Sequence, residues 1–335
     1  MRVVRELDPI AWRRFVDEHP EGNVFHTPEM FEVFSRAKGH QPMLWAAVDS
    51  GDDILALLLP VNVFLFDGLL RSLTTRAIAY GSVLCAPGAR GHEGLTELLR
   101  TYKRHAGGAP LFTEFRNLTD PTTTQPVLDQ CGFAHEDHLN YLIDLRRPPE
   151  QILQGISSRT RQIIRRGLRR GEVVIEEIAD RKDLLPLYAV LRQTYERTRV
   201  PLADISLFEA AFDVLHAKGM VRFALARVGD APAAVSVELL YKGVVYGWYG
   251  GTNRALGAYQ PTELLTWNIL EWGASRSYAV YDFGGAGRPG ESYGVRDFKA
   301  KFGGDLVSYG RDVCVHAPNR LRLSRLAFEL LRRFL

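Results

Sequence analysis

Six arginines crowd between Arg159 and Arg170, and three of them, Arg161, Arg165 and Arg169, recur every four residues. On a helix that spacing lines one face. Guanidinium groups in such a stripe suit phosphates, because each presents a planar fork of donors and stays charged at every relevant pH. The same pattern also describes an ordinary solvated helix face. No aromatic residue interleaves with the arginines, so nothing here resembles a platform for stacking bases.

Further along, Tyr281-Asp282-Phe283 runs into Gly284-Gly285-Ala286-Gly287-Arg288-Pro289-Gly290, a literal GxGxxG. Pro289 stands where a dinucleotide-binding helix would open and offer its backbone N–H groups, so the segment reads as a glycine-rich turn. It is followed by Val295 to Gly304, a short helix with a glycine stop in which Phe298 and Phe302, four apart, should face the core. Lys299 and Lys301 then project elsewhere, either as surface lysines or, beside the glycine turn, as contacts for a carbonyl oxygen or a phosphate. Tyr241, Tyr246, Trp248 and Tyr249 gather before Gly250-Gly251; strict alternation puts Tyr246 and Trp248 on one strand face and Tyr249 on the other. His26 reads as a residue at a helix start, and no Ser/His/Asp, HExxH or metal-type histidine spacing stands out.

The elements that must position these residues repeat in order. A strand at Arg2–Leu7 leads to helices after Asp8-Pro9 and Thr27-Pro28, then to three strands within Met43–Val48, Ile54–Phe66 and Leu69–Leu84. A helix (His92–His105), a strand (Leu111–Phe115), a short helix (Gln125–Gln130) and a strand (Asn140–Leu145) complete the first half. Pro148-Pro149 marks the boundary. The second half then gives a helix over Pro149–Gly171, a strand, two helices, three strands, a helix at Pro261–Ser275 and a strand at Ala279–Phe283. The common order β, α, α, β, β, β, α, β predicts two related α/β domains, 1–148 and 149–318, followed by a basic amphipathic helix over 319–335.

Composition limits what such domains do. With 46% hydrophobic and 24% charged residues the chain is ordinary globular material, which excludes disorder and fibrous classes. A net charge of +3 excludes a polycation. The three cysteines, Cys85, Cys131 and Cys314, are too scattered for a metal knuckle and suit a reducing cytoplasm. The charged N-terminus has no apolar signal-peptide core, and the longest apolar run is broken by Pro60 and Asn62, so a soluble cytoplasmic protein is expected.

Taken together, Arg159–Arg166 with Gly171, Tyr195–Arg199, Trp248-Tyr249-Gly250-Gly251 with Leu264–Trp267, and Tyr281–Gly285 with Phe298–Gly304 resemble the FemAB peptidoglycan aminoacyltransferases. The likeness spans the second half in order; the first half matches in outline, through Phe25–Pro28 and Tyr80-Gly81. The resemblance implies two tandem GNAT-like domains with mixed sheets flanked by helices, and transfer of an aminoacyl group from aminoacyl-tRNA to an amine of a UDP-linked or lipid-linked cell-wall precursor. No metal or other cofactor is implied, since the acyl donor is a co-substrate.

Carried onto this chain, the resemblance makes Lys299 the oxyanion contact with Phe298 beside the acyl donor, and Glu114 the proton acceptor unless a substrate carboxylate serves. Arg199, Tyr246, Tyr249 and Lys301 would bind the precursor, Arg36 or Lys38 would reach its phosphates, and Arg161, Arg165 and Arg169 would meet phosphates or tRNA. The arm that some members insert is missing, and Tyr259 occupies the closing small-residue position of a GNAT pyrophosphate loop begun at Arg254. An acyl-CoA-dependent transferase acting on a nucleotide-sugar or polysaccharide precursor is therefore the alternative, and a non-catalytic phosphate-binding module a second. The tail helix would either graze an anionic membrane at the inner face or dock on its own domain.

Overall fold

The computed structural model describes residues 1–64, 68, 71–106, 110–324 and 326. In chain order the elements of the first part are β1 (Arg2–Val4), α1 (Pro9–Glu18), α2 (Pro28–Arg36), β2 (His40–Pro42), β3 (Trp45–Val48), β4 (Ile54–Leu58), β5 (Val61–Val63), α3 (Arg71–Thr74), β6 (Arg76–Tyr80), β7 (Val83–Cys85), α4 (Ala89–Ala106), β8 (Phe112–Arg116), α5 (Gln125–Gln130) and β9 (Ala134–Glu136). Then follow β10 (Leu139–Asp144), α6 (Pro149–Gly155), α7 (Ser158–Arg170), β11 (Val173–Glu177), α8 (Leu184–Thr198), α9 (Ile205–Leu215), β12 (Val221–Val228), β13 (Ala231–Tyr241), β14 (Val244–Thr252), α10 (Pro261–Ser275), β15 (Val280–Gly285), α11 (Gly294–Ala300), β16 (Asp305–Ser308) and β17 (Arg311–Val315).

The chain forms two compact units, and each borrows a strand from beyond the proline boundary. Residues Met1–Asp137 and Tyr309–Leu335 make the first, and His138–Ser308 the second. The division therefore departs from the 1–148 and 149–318 expected of the sequence. The physical reason is ladder pairing: β10 inserts between β15 and β16 in the second unit, while β17 inserts between β8 and β9 in the first.

In the first unit, strands that the sequence predicts as continuous are each broken and shared between two sheets, ordered β1-β3-β4-β7 and β2-β5-β6-β8-β17-β9. Pro60, which has no N–H to donate to a ladder, separates β4 from β5. Gly81 and Ser82, both at positive φ, separate β6 from β7. The predicted run over 65–67 and 69–70 lies outside the described residues. Beneath the sheets α4 buries Leu95, Leu98, Leu99 and Tyr102, the last bonded to Thr113 at 2.7 Å. His26 sits at the start of α2 as expected, fully buried, with its imidazole pushed down to about 3 by loss of solvent.

The second unit is one seven-stranded sheet, β11-β12-β13-β14-β15-β10-β16, with β14 and β15 the parallel pair. Leu153, Ile164, Leu265, Trp267 and Leu270 from α6, α7 and α10 pack over Ala224, Ala226, Ala234 and Val245 on one face. Opposite, α8 and α9 cover the sheet where Phe208 meets Tyr249 and Phe212 meets Phe223. The predicted helix Pro149–Gly171 is two helices, because Ile156 turns extended and Ser157 opens a second one. Gly304 must be glycine: φ is +89°, and a Cβ would lie 2.4 Å from the Leu142 carbonyl oxygen. The C-terminal helix starts at 318 and is described to 324. Of its predicted stripe, Leu323 and Leu326 are exposed, and Leu330, Leu331, Arg325, Arg332 and Arg333 lie outside the described residues. No described helix is long and apolar enough to cross a membrane.

Candidate active site

The second unit has an interrupted ladder at its centre. β14 and β15 pair at only three positions, ending at Tyr246 with Asp282, although β14 continues to Thr252 and β15 to Gly285. Beyond that point the two strands run on without pairing to each other. On its other edge β14 carries a bulge, since Gly247 pairs with Glu238 and Tyr249 with Val237, leaving Trp248 extra. The bulge overturns the alternation read from sequence: Tyr246 and Tyr249 share a face, and Trp248 falls between them.

The freed end of β15 is closed by Lys299. Its ammonium is buried and donates to the carbonyl oxygens of Phe283 (2.6 Å), Gly284 (3.0 Å) and Gly285 (2.8 Å). An ammonium has three donors, and three carbonyls take them. This arrangement corrects the assignment of Lys299 as an oxyanion contact, since no donor is left for a substrate oxygen. Lys299 instead holds the glycine turn, whose Gly284 has φ +69° and would place a Cβ 3.1 Å from the Gly247 carbonyl oxygen. Burial lowers the Lys299 ammonium to about 8, opposed by the charge of Asp282. Asp282 itself is lifted by burial to about 6, while accepting hydrogen bonds from Gly284 N (2.7 Å) and Asn140 Nδ2 (3.0 Å). Arg296 extends the bracing by donating to the carbonyls of Ala286 (2.8 Å) and Arg288.

Aromatic rings wall the region. Tyr195 of α8 lies 5.9 Å from Tyr249 between ring centres, and Tyr249 lies 4.8 Å from Phe208 and 5.0 Å from Trp248. Burial and the nearby Tyr293 raise the Tyr195 phenol to about 12. Tyr246 reaches toward Gly284, its hydroxyl 3.5 Å from the place a Cβ would take there. Tyr246 and Tyr249 are thus brought to the unpaired strand ends. Arg199 caps α8 in the left-handed conformation (φ 55°) and is exposed.

Other predicted residues go elsewhere. Phe298 is half-buried, 5.2 Å from the buried Phe302, and Lys301 is exposed with its ammonium 5.7 Å from the Phe298 ring centre. Arg161 caps α6 by donating to the Gln154 carbonyl at 2.8 Å, and Arg165 pairs with Glu150 at 3.0 Å. Arg169 reaches solvent, so the predicted stripe is divided among three tasks. In the first unit Arg36 pairs with Glu32, and Lys38 is exposed two residues beyond. Glu114 is held between Arg116 (2.7 Å) and Arg311 (3.3 Å). Although burial opposes it, those charges and Arg76 keep its carboxyl below the usual range, which makes it a poor proton acceptor. A cavity of about 530 Å³ in the first unit, lined by Arg100, Lys103 and Arg104 among others, contains none of these residues. Among the described residues no cluster could hold a metal ion.

Sequence reasoning missed one member of the unit's interior. Glu238 on β13 is 1% exposed and faces Arg222, its cross-strand partner. The available signal was a lone carboxylate within the apolar run Ala233–Tyr241.

Residues 157–300, from the start of α7 to the end of α11, match the family described as Acetyltransferase (GNAT) domain. A crystal structure of FemX aligns over 96% of this chain and 99% of its own, with a TM-score of 0.72 at 15% identity. The chain has a tandem GNAT fold. L-PGS from Bacillus licheniformis aligns over 97% of this chain and 99% of its own (TM-score 0.59, 13% identity), and a tandem GNAT protein from the clavulanic acid biosynthesis pathway over 95% and 99% (TM-score 0.58, 12% identity). No curated protein matches the sequence.

Proposed function

We propose that this protein is an N-acyltransferase that moves an aminoacyl group from aminoacyl-tRNA onto an amine of a UDP-linked or lipid-linked peptidoglycan precursor. The observation that carries the reading is the interrupted β14–β15 ladder, braced by Lys299 and walled by Tyr195, Tyr246 and Tyr249, in a stretch matching a GNAT domain. The likeness to FemX along nearly the whole chain supports an acyltransferase of this kind.

An acyl ester is already activated, so the protein has to align the amine, stabilise the oxyanion and take up a proton. Backbone N–H groups on the unpaired edge of β14 beyond Tyr246 suit the oxyanion, and the Lys299 brace fixes the opposing turn. The phosphate-bearing end of the donor suits Arg197 at the end of α8 and Arg254. Burial, with Arg254 as a second cause, lowers the Arg197 guanidinium, so the two positive charges lie close enough to act on the same phosphate.

A second reading, an acyl-CoA donor with a nucleotide-sugar or polysaccharide acceptor, is favoured by the acetyltransferase description of the matching family. Incubating the purified protein separately with radiolabelled aminoacyl-tRNA and acyl-CoA, each with UDP-linked pentapeptide, distinguishes them. Label moving from tRNA to the precursor is the expected result. Thiol release from acyl-CoA without any need for tRNA would overturn it in favour of the second reading.

A further inference from the structure

Helix α7 presents a charged face that the proposed reaction leaves unused. Arg161 and Arg165 are turned toward α6, where Arg161 donates to the Gln154 carbonyl and Arg165 pairs with Glu150. Arg159, Arg166 and Arg170 follow one another at intervals of seven and four, so on a helix of about 3.6 residues per turn they point within about 40° of one direction. Arg169 stands beside them, three residues on from Arg166. All four are exposed. Among the described residues Arg159, Arg166 and Arg169 have no carboxylate partner, and Arg170 has only Glu172, at 3.6 Å.

Such a face is costly to the helix that carries it. Arg166 and Arg170, four apart, repel each other, and Arg159 sits in the first turn, where the helix dipole favours an acidic residue. Only Arg169 and Arg170, in the last turn, suit the dipole. The helix has no aspartate or glutamate of its own to relieve the repulsion. An ordinary solvated face mixes the two signs, whereas an unrelieved run of guanidinium forks suits an anionic partner from outside the chain.

The place of the face in the fold indicates which partner. At Gly167 a Cβ would lie 2.7 Å from the Leu264 side chain, so α7 passes close against α10 about one turn from the start of that helix. The turn Arg254–Tyr259 leads directly into α10, and its Arg254 suits the phosphates of the donor. A donor held there has α7 beside its path. From Arg159 to Arg170 the face runs about 16 Å at about 1.5 Å per residue, room for several consecutive phosphates of a nucleic-acid strand. No aromatic side chain stands on α7, and its exposed Leu168 lies nine residues from Arg159, on the opposite side of the helix. The face thus offers neither a platform for stacking bases nor an apolar wedge for lipid.

We propose that the face of α7 formed by Arg159, Arg166, Arg169 and Arg170 grips the phosphate backbone of aminoacyl-tRNA behind its acylated end. The inference rests on the aminoacyl-tRNA reading and names the part of the protein that meets the body of that donor. Contacts to phosphate fix register and orientation but carry no sequence information. The face therefore holds any tRNA alike, and the choice of amino acid is left to the cleft. Its contribution is to binding of the donor, not to the chemical step.

The test compares wild type with a variant carrying Arg159→Gln, Arg166→Gln and Arg169→Gln. A control carrying Arg2→Gln, Arg90→Gln and Arg104→Gln removes as much charge from exposed positions of the first unit. Binding of bulk tRNA is titrated between about 50 and 200 mM salt, transfer is measured from aminoacyl-tRNA and from an aminoacylated CCA trinucleotide, and thermal melts check folding. In the α7 variant the slope of log Kd on log salt should shrink by about 2–3, and KM for aminoacyl-tRNA should rise about tenfold or more with kcat little changed. Transfer from the trinucleotide should match wild type, and the control should keep wild-type values throughout. An unchanged slope and KM in the α7 variant, or an equal loss in the control, would overturn the assignment and leave the donor reading standing. So would loss of binding to phosphatidylglycerol vesicles with tRNA affinity intact, which gives the face to a membrane. A wild type that neither binds tRNA nor transfers from it would sink the donor reading, and the α7 surface with it.

Discussion

Replacing Lys299 with methionine keeps the length and apolar stem of the side chain and removes only its ammonium. The variant leaves three carbonyl oxygens without their donor, those of Phe283 and Gly284 in buried bonds and that of Gly285 in a partly buried one. An orphaned buried acceptor costs about 1–3 kcal/mol. The Gly285 carbonyl can turn to water, and the variant is relieved of burying a charge, so a net loss of about 2–4 kcal/mol is expected. Urea unfolding at neutral pH measures it, with Lys301→Met as the control. Lys301 is exposed, and its replacement should stay within about 0.5 kcal/mol. Transfer activity should collapse in the folded Lys299→Met protein, because the turn opposite Gly247 loses its brace. Equal stability of the two variants, or full turnover by Lys299→Met, would refute the clamp reasoning.

Glu238 makes stability depend on pH. Its folded value lies above its ordinary 4.5, at about 7, so between those values the native state holds more protons than the unfolded one and stability falls as pH rises. Glu238→Gln should therefore be more stable than wild type at pH 8 by about 3 kcal/mol, and the difference should vanish near pH 4, as read from urea midpoints. Glu114→Gln removes the counter-charge of Arg116 and Arg311 and should destabilise by about 1–3 kcal/mol in thermal melts, while transfer stays within a few-fold of wild type. In Gly284→Ala a side chain enters the left-handed region and presses on the Gly247 carbonyl. It should cost about 1–2 kcal/mol and lower kcat more than it raises KM.

Local signals carried much of the second unit. Asp204 accepts from the Ser206 N–H at the start of α9, Pro261 opens α10 and Gly171 ends α7 in the left-handed conformation, each a feature of residues adjacent in sequence. Trp248 was not placed correctly, because alternation holds only while the register does, and its bulge is set by what β13 presents opposite. Lys299 could be found by resemblance but not understood, since its partners lie 14 to 16 residues away on another element. The double proline is a true break between β10 and α6, yet it is no boundary between units. Strand pairing is decided by distant partners, and no local residue announces that β10 belongs with β15.

The exchange of β10 and β17 orders events during synthesis. The segment His138–Ser308 is continuous, so every strand of its sheet is available once β16 has been made. The other unit must wait: among the described residues β9 pairs only with β17, and until Arg311–Val315 emerges β8 lacks its neighbour on that side. At ribosomal rates of about 5–20 residues per second, an unfinished sheet edge is exposed for about ten seconds or longer after β9 has emerged. The second unit is thus free to fold before the first, whose sheet β17 closes only after all of the second unit has been made.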